Sequence, residues 1–258
     1  MTAAATGLYG GSKAPRLVFV VPVHDEAENL PRLLADFQAR PQLLSDAGRL
    51  IVVDDGSTDE TPALLQGYRG SLPLEVVRLA HNQGPGAAFR HGFAAALAGA
   101  DDNTLVVTME GDTTSDLDAL PAMLGRAAAG ADLVLADWRM VNVGAFRRTL
   151  SLAAGVVVRR GLGLNAKTVS SFFRVYRTSA LQLGFDRYGD DFVRETGFAC
   201  KAEILVKLVA LGARVEEVPV PLDWSRRLGK SQMPVLRTML DYWRMLLRLR
   251  LSGGLLSS

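Results

Sequence analysis

Three apolar runs in this chain of 258 residues each end in a cluster of carboxylates. Residues 17–23 (LVFVVPV) lead into His24-Asp25-Glu26, residues 50–53 (LIVV) into Asp54-Asp55-Gly56-Ser57-Thr58-Asp59, and residues 105–109 into Glu110-Gly111-Asp112. Carboxylates gathered at one sheet edge repel each other unless a cation or hydrogen-bond donors answer their charge. A divalent ion, Mg2+ or Mn2+, held with a diphosphate is the natural partner. Such a hard cation takes one or two carboxylates and completes its shell with phosphate oxygens and water. In the second cluster a local reading competes, because Asp-Gly-Ser-Thr-Asp-Glu is also a turn followed by a helix N-cap. Asp59 reads as that cap, and Asp54 stays open between a ligand contact and closure of the turn.

The opposite charge lies in the other half of the chain. Residues 1–130 hold 9 Lys+Arg and 16 Asp+Glu, or −7, while residues 131–258 hold 20 and 11, or +9, together the net +2 of the whole. An acidic half suits metal coordination; a basic half suits phosphate groups or the anionic face of a membrane. Arg139 is expected just after a strand over 133–136. Arg147, Arg148 and Ser151 open the next helix, where cations and N–H groups can hold a phosphate. A second basic stretch is Arg226-Arg227-Leu228-Gly229-Lys230-Ser231. The loop Asn82-Gln83-Gly84-Pro85-Gly86 could cradle a phosphate but reads better as the close-packed start of a helix. His81 and His91 have no ligand spacing, and the single cysteine, Cys200, reads as a small buried hydrophobe.

The elements that must position these groups follow from periodicity. The apolar runs at 17–23, 50–53, 74–79, 105–109 and 133–136 read as buried strands, with helices expected over 30–44, 61–68, 86–97 and 120–129. Such alternation implies an α/β fold with a mostly parallel sheet and helices on both faces. Further on, helices are expected over 147–162 and 196–211 and strands over 172–176 and 215–220. An amphipathic helix is expected over 234–251, with Arg237, Asp241, Arg244 and Arg248 on one side and Leu236, Met239, Leu240, Trp243, Leu246 and Leu247 on the other. That helix is open between packing on the core and lying in a membrane interface. With 48% hydrophobic residues the chain can bury one domain, expected over 16–251, with disordered tails at 1–15 and 252–258. No apolar run reaches the length of a membrane span, and the N-terminus does not read as a secretory signal. The expectation is a cytoplasmic chain, peripheral at the inner face of the membrane.

The strings VVPVHDEAENL and VVDDGSTDET, followed by the acidic triplet, resemble the large inverting glycosyltransferase family two, and within it the dolichol- or polyprenyl-phosphate mannosyl- and glucosyltransferases. The resemblance covers roughly residues 16–250 and implies a single GT-A (Rossmann-like) domain. It implies a metal-dependent hexosyltransferase that moves a hexose from a GDP- or UDP-sugar to a polyprenyl or dolichyl phosphate. By the same resemblance Pro22, His24, Glu26, Asp54, Asp55, Glu110 and Gly111 line the nucleotide pocket, with Asp55 accepting from the base edge. Asp112 and Glu110 stand where the family has its paired-aspartate metal motif. Glu110 departs from the pattern and leaves its own contact open between the ribose, the metal through water, and neither. Arg139, Arg147, Arg148 and Ser151 match the acceptor-phosphate positions, and Arg226, Arg227, Lys230 and Ser231 a loop that closes on the donor diphosphate. Gln232 departs there from the usual lysine. Asp112, Arg139 and Arg227 are thus the residues expected to act on the reaction itself. A phosphate acceptor is an anionic nucleophile at neutral pH and needs no general base. Two alternatives stay open: a soluble hydroxyl acceptor, with Asp191 or Glu195 as base, and a non-catalytic nucleotide-sugar-binding homologue.

Overall fold

The computed structural model describes residues 14–45, 47–141, 168, 171–223, 228 and 235–251. β1 (Arg16–Val23) is apolar at every position after Arg16 and half of it is valine, so both of its faces can be buried. Val18 and Val20 enter one core cluster and Phe19 and Val21 the other. α1 (Leu30–Gln38) buries Leu30, Leu33, Leu34 and Phe37, and Phe37 meets Phe19 edge-on with ring centroids 4.8 Å apart. The helix expected through residue 44 ends early. Pro41 disfavours helical backbone at Arg40, and the chain restarts as a 3-10 turn over Pro41–Leu44.

The alternation continues through β2 (Arg49–Asp54), α2 (Thr61–Gly67), β3 (Leu74–Arg78), α3 (Pro85–Leu97), β4 (Thr104–Thr108), α4 (Leu120–Ala128) and β5 (Leu133–Val141). It then runs through β6 (Arg174–Arg177), α5 (Thr178–Tyr188), α6 (Cys200–Ala210), β7 (Val215–Asp223) and α7 (Val235–Leu251). The seven strands form one sheet in the order β3-β2-β1-β4-β6-β5-β7. β3, β2, β1 and β4 are mutually parallel, β6 is antiparallel to both its neighbours, and β5 is parallel to β7. α3, α5 and α6 cover one face; α1 and α4 cover the other.

Three further features differ from the sequence reading. β5 runs five residues past Ala136 because its polar end, Asp137–Val141, pairs residue by residue with β7, so Arg139 lies inside the strand opposite Pro221. α5 carries a weak apolar pattern. Its Gly184 lowers helix propensity but is needed where the Phe192 ring lies against the helix backbone. The helix expected from 196 begins at Cys200, and the stretch before it is irregular. The expected helix over 147–162 and the two expected tails fall outside the described residues, except for residues 14 and 15.

Candidate active site

The C-terminal ends of β1, β2 and β4 meet at one edge of the sheet, because β1 pairs with both of the others in parallel. Ligands of open α/β sheets sit outside such ends. After β1 the backbone turns at Asp25, whose φ of 51° is unusual for a residue with a side chain. The turn is held by its own carboxylate. Asp25 Oδ1 accepts from the Thr58 N–H at 2.7 Å and the Asp59 N–H at 3.2 Å, while the Asp25 N–H donates to Ser57 Oγ. Asp59 ties the same loops together, accepting from the Ala27 and Thr61 N–H groups at 3.0 and 2.9 Å. Burial works against its ionisation, yet the bonds from Thr61 and Ala27 hold the carboxyl below its ordinary value. The helix N-cap is Glu60, one residue beyond the expected Asp59, and Asp59 instead cross-links the loops after β1 and β2.

Asp54 is fully buried and closes its turn, with Oδ1 accepting from the Ser57 N–H at 2.9 Å and Arg78 Nε standing 3.4 Å from Oδ2. Asp55, also buried, accepts from the N–H groups of Gln83 and Gly84, one on each oxygen at 2.8 Å. It thereby sets the Asn82–Gly86 loop. Gly84 has φ of 89°, and a Cβ there would run into the Thr196 carbonyl. The packing reading of that loop is thus the one its contacts support.

The turn after β4 is built differently. Gly111 lies so close to β1 that a Cβ would stand 2.9 Å from the Pro22 carbonyl oxygen. This approach fixes Glu110 and Asp112 beside the C-terminal end of β1. Asp112 is buried, and its Oδ1 accepts from the N–H and the hydroxyl of Thr114 at 3.1 and 2.6 Å. Thr113 between them holds a φ of 63°. Glu110 accepts from the Ser115 hydroxyl on one oxygen and from the Phe172 N–H at 3.1 Å on the other. Burial pushes the Glu110 carboxyl up, and the charge of Asp112 adds to the rise; Ser115, the Lys201 charge and the Phe172 N–H oppose it.

Lys201, which the sequence reading passed over, supplies the local counter-charge. It is buried at the start of α6, with Nζ 4.1 Å from the Phe172 ring centroid and 5.4 Å from that of Phe198. Burial draws its ammonium down to about 8, while the Glu110 and Asp112 charges favour the protonated form. A signal was present: Lys201 shares the helical face of the apolar Ile204, Leu205 and Leu208, where a solvated lysine has no place.

Asn29 was passed over as well. It is buried, donates to Glu26 Oε2 at 2.6 Å, and exchanges two 3.1 Å bonds with the backbone of Leu228. Leu228, the one described residue of the basic stretch 226–231, is thus held at the loop after β1. Pro22 and His24 lie half-buried in and after β1, with His24 Nε2 3.5 Å from Asp25 Oδ2. The positions expected for the phosphates, Arg147, Arg148, Ser151, Arg226, Arg227, Lys230 and Ser231, are outside the described residues. The alternative bases are placed for other work: Glu195 pairs with Arg248 at 2.8 Å, and the Asp191 side chain is exposed.

Among the described residues no group of three or more His, Cys, Asp or Glu side chains is arranged to hold a metal. The carboxylates of three strands do not converge on one cation, as the clusters had suggested. Backbone amides meet Asp25, Asp54, Asp55 and Asp59 and the Asn29 side chain meets Glu26, whereas hydroxyls share the work in the β4 turn.

A profile of glycosyl transferase family 2 matches residues 18–185. An undecaprenyl-phosphate mannosyltransferase of Micrococcus luteus is 30% identical over 225 residues, covering 84% of this chain and 87% of that protein. A polyprenol monophosphomannose synthase of Mycolicibacterium smegmatis is 29% identical over 227 residues, covering 84% and 81%. Among solved structures, the glucosyl-3-phosphoglycerate synthase of Mycobacterium tuberculosis, with Mn2+, uridine diphosphate and glucosyl-3-phosphoglycerate, superposes with a TM-score of 0.65. It is 18% identical, with 98% of this chain and 85% of that one covered, and the shared fold is GT-A.

Proposed function

The chain belongs to glycosyl transferase family 2, and from that premise we propose that it moves a hexose from a nucleoside-diphosphate sugar to a polyprenyl phosphate. An acceptor phosphate oxygen attacks the anomeric carbon with inversion. The bond from that carbon to the diphosphate breaks, and its electron pair leaves with the nucleoside diphosphate. The acceptor arrives already ionised, so no side chain has to remove a proton. This agrees with a structure in which Glu195 is committed to Arg248. The names of the two relatives, both transferases of mannose to a polyprenyl carrier, point to the same acceptor class.

The observation that carries the reading is the meeting of three segments: Gly111 packed on Pro22, and Leu228 tied through Asn29 to Glu26. The loop after β1, the acidic turn after β4 and Leu228 therefore border one region, which we assign to the donor. In our reading Pro22, His24, Glu26 and Gly111 line the nucleotide. Asp55 acts through the loop it holds, with acceptor capacity left for a base N–H, and Asp54 supports its turn. The diphosphate lies against Arg226, Arg227, Lys230 and Ser231, and the acceptor phosphate against Arg139, Arg147, Arg148 and Ser151. Asp112, a buried carboxylate flanked by hydroxyls, is a donor set that suits a hard ion such as Mg2+ or Mn2+. Glu110 acts from behind, since both of its oxygens already accept hydrogen bonds. A divalent ion bound there would supply positive charge against the charge gathering on the departing diphosphate. We place the protein as peripheral at the cytoplasmic face of the membrane, where the acceptor chain is anchored.

The test is a thermal-shift panel of nucleoside diphosphates with Mn2+, followed by transfer from the matching labelled sugar to a polyprenyl phosphate. One nucleotide is expected to raise the melting temperature only with metal, and transfer should stop on chelation. Transfer that proceeds undiminished with chelator would end the metal part of the proposal, and transfer only to a hydroxyl acceptor would end the lipid part.

A further inference from the structure

α7 carries two apolar faces, and only one of them meets the body of the protein. Thr238, Tyr242 and Met245 recur at helical spacing and turn inward. Met245 is 0% exposed, Thr238 is 6% exposed, and Tyr242 packs on the core. From the same side Arg248 reaches Glu195 at 2.8 Å and Glu203 at 2.9 Å. Leu240, Trp243 and Leu247, spaced by three and four, are 44%, 58% and 40% exposed. At 3.6 residues per turn Leu240 and Met245 stand about 140° apart, so the outer stripe is not the fringe of the buried one. The sequence had grouped Asp241 and Arg248 with the outward charges; the fold turns them inward or half-inward and leaves three large apolar side chains in water.

Such a stripe needs an occupant, and the surrounding chemistry selects one. Arg244 borders it with its side chain 65% exposed, and the helix carries four arginines against one aspartate. Residues 131–258 hold +9 of net charge. Leucines and an exposed tryptophan beside arginines make up a helix that lies in a bilayer interface. The apolar side enters the headgroup boundary, and the cations meet anionic lipid. No described helix is long and apolar enough to cross a membrane, so attachment by a surface helix is the mode these residues offer.

We infer that the outer face of α7 docks on an anionic bilayer, with Leu240, Trp243 and Leu247 in the interface and Arg244 at the headgroup phosphates. For its purpose this rests on the lipid acceptor proposed above, since docking brings the site to the plane in which a polyprenyl phosphate diffuses.

The experiment is flotation of the full chain with vesicles of phosphatidylcholine, alone or with one part in three phosphatidylglycerol. The wild type should float with the anionic vesicles. Combined Leu240→Asp, Trp243→Asp and Leu247→Asp should reduce binding by at least roughly tenfold. Arg244→Glu should weaken binding to the anionic vesicles alone. A nucleoside-diphosphate thermal shift equal to wild type verifies the fold of the triple variant; if it does not fold, Trp243→Ala carries the same comparison. A wild type that floats with neither vesicle overturns the inference, as does a triple variant that floats equally well. A dimer that the triple substitution breaks, without flotation, also overturns it by giving the face to a second copy. Transfer to a short, water-soluble isoprenyl phosphate separates the two readings. Transfer without flotation sinks the docking alone, whereas flotation without transfer sinks the acceptor proposal alone.

Discussion

The loops after β1 and β2 and the turn after β4 are both rich in carboxylates, yet they neutralise them by different means. In the first region the donors are backbone amides: Thr58 and Asp59 on Asp25, Ser57 on Asp54, Gln83 and Gly84 on Asp55, Ala27 and Thr61 on Asp59. In the second the Thr114 and Phe172 amides share the work with the hydroxyls of Thr114 and Ser115 and the buried charge of Lys201. Amides are fixed once the chain is folded, so the first region is a finished frame. Hydroxyls rotate and a lysine is a single charge set against two, so the second keeps negative charge to spend on a ligand. Identical residue types thus serve as scaffold in one place and, in the function we propose, as binding group in the other.

The sharpest test separates the two roles by substitution. Asp112→Asn keeps an oxygen for Thr114 but removes the charge. Sugar transfer is expected to fall by roughly 100- to 1000-fold, as for loss of one group that stabilises developing charge, with the melting temperature of the ligand-free protein nearly unchanged. Asp55→Ala should do the reverse. It takes away the acceptor of the part-buried Gln83 N–H and leaves the Gly84 N–H only Asn82 Oδ1, and urea unfolding should show a loss of about 1 to 2 kcal/mol. The comparison breaks if Asp55→Ala unfolds like wild type and loses only nucleotide binding.

The clusters and the helix spacing were legible because each rests on local order along the chain. His24-Asp25-Glu26 and Glu110-Gly111-Asp112 do fall at strand ends on one edge, and the α/β alternation holds through residue 136. What could not be read depends on contacts between distant segments. The bonds between Asn29 and Leu228 span 199 positions, the extension of β5 comes from pairing with β7, and Lys201 acquires its meaning only when α6 brings it to Phe172. Carboxylates at strand ends read as a cation site because sequence shows acceptors but not the amides that will face them.

Lys201 allows the second region to be probed through pH. In the folded chain its ammonium falls from 10.5 to about 8 through burial. Between those values the unfolded chain holds the proton and the folded chain does not, so stability rises with pH over that window. Below it the buried charge costs about 3 kcal/mol relative to a solvated lysine. Lys201→Met should therefore raise the melting temperature at pH 7 and flatten the slope between pH 8 and 10.5, while weakening transfer. An unchanged slope would show that Lys201 is not the cation of that turn.

The smallest expected effect belongs to the frame. Asp59 is largely exposed, and its slight desolvation is outweighed by bonds from Thr61 and Ala27 on its two oxygens, which hold the carboxyl below the ordinary value. A depressed carboxyl contributes stability above the unfolded value of 3.8 and loses it as pH falls through the folded one. Asp59→Asn retains one acceptor of the two, so at pH 7 it should be less stable by under about 1 kcal/mol, given solvent screening. Protonated Asp59 likewise keeps only part of its acceptor capacity, so wild type and variant should converge in urea titrations below about pH 3. A difference that persists at low pH would assign the cross-link to side-chain shape instead of charge, and would place Asp59 outside the set of amide-neutralised carboxylates.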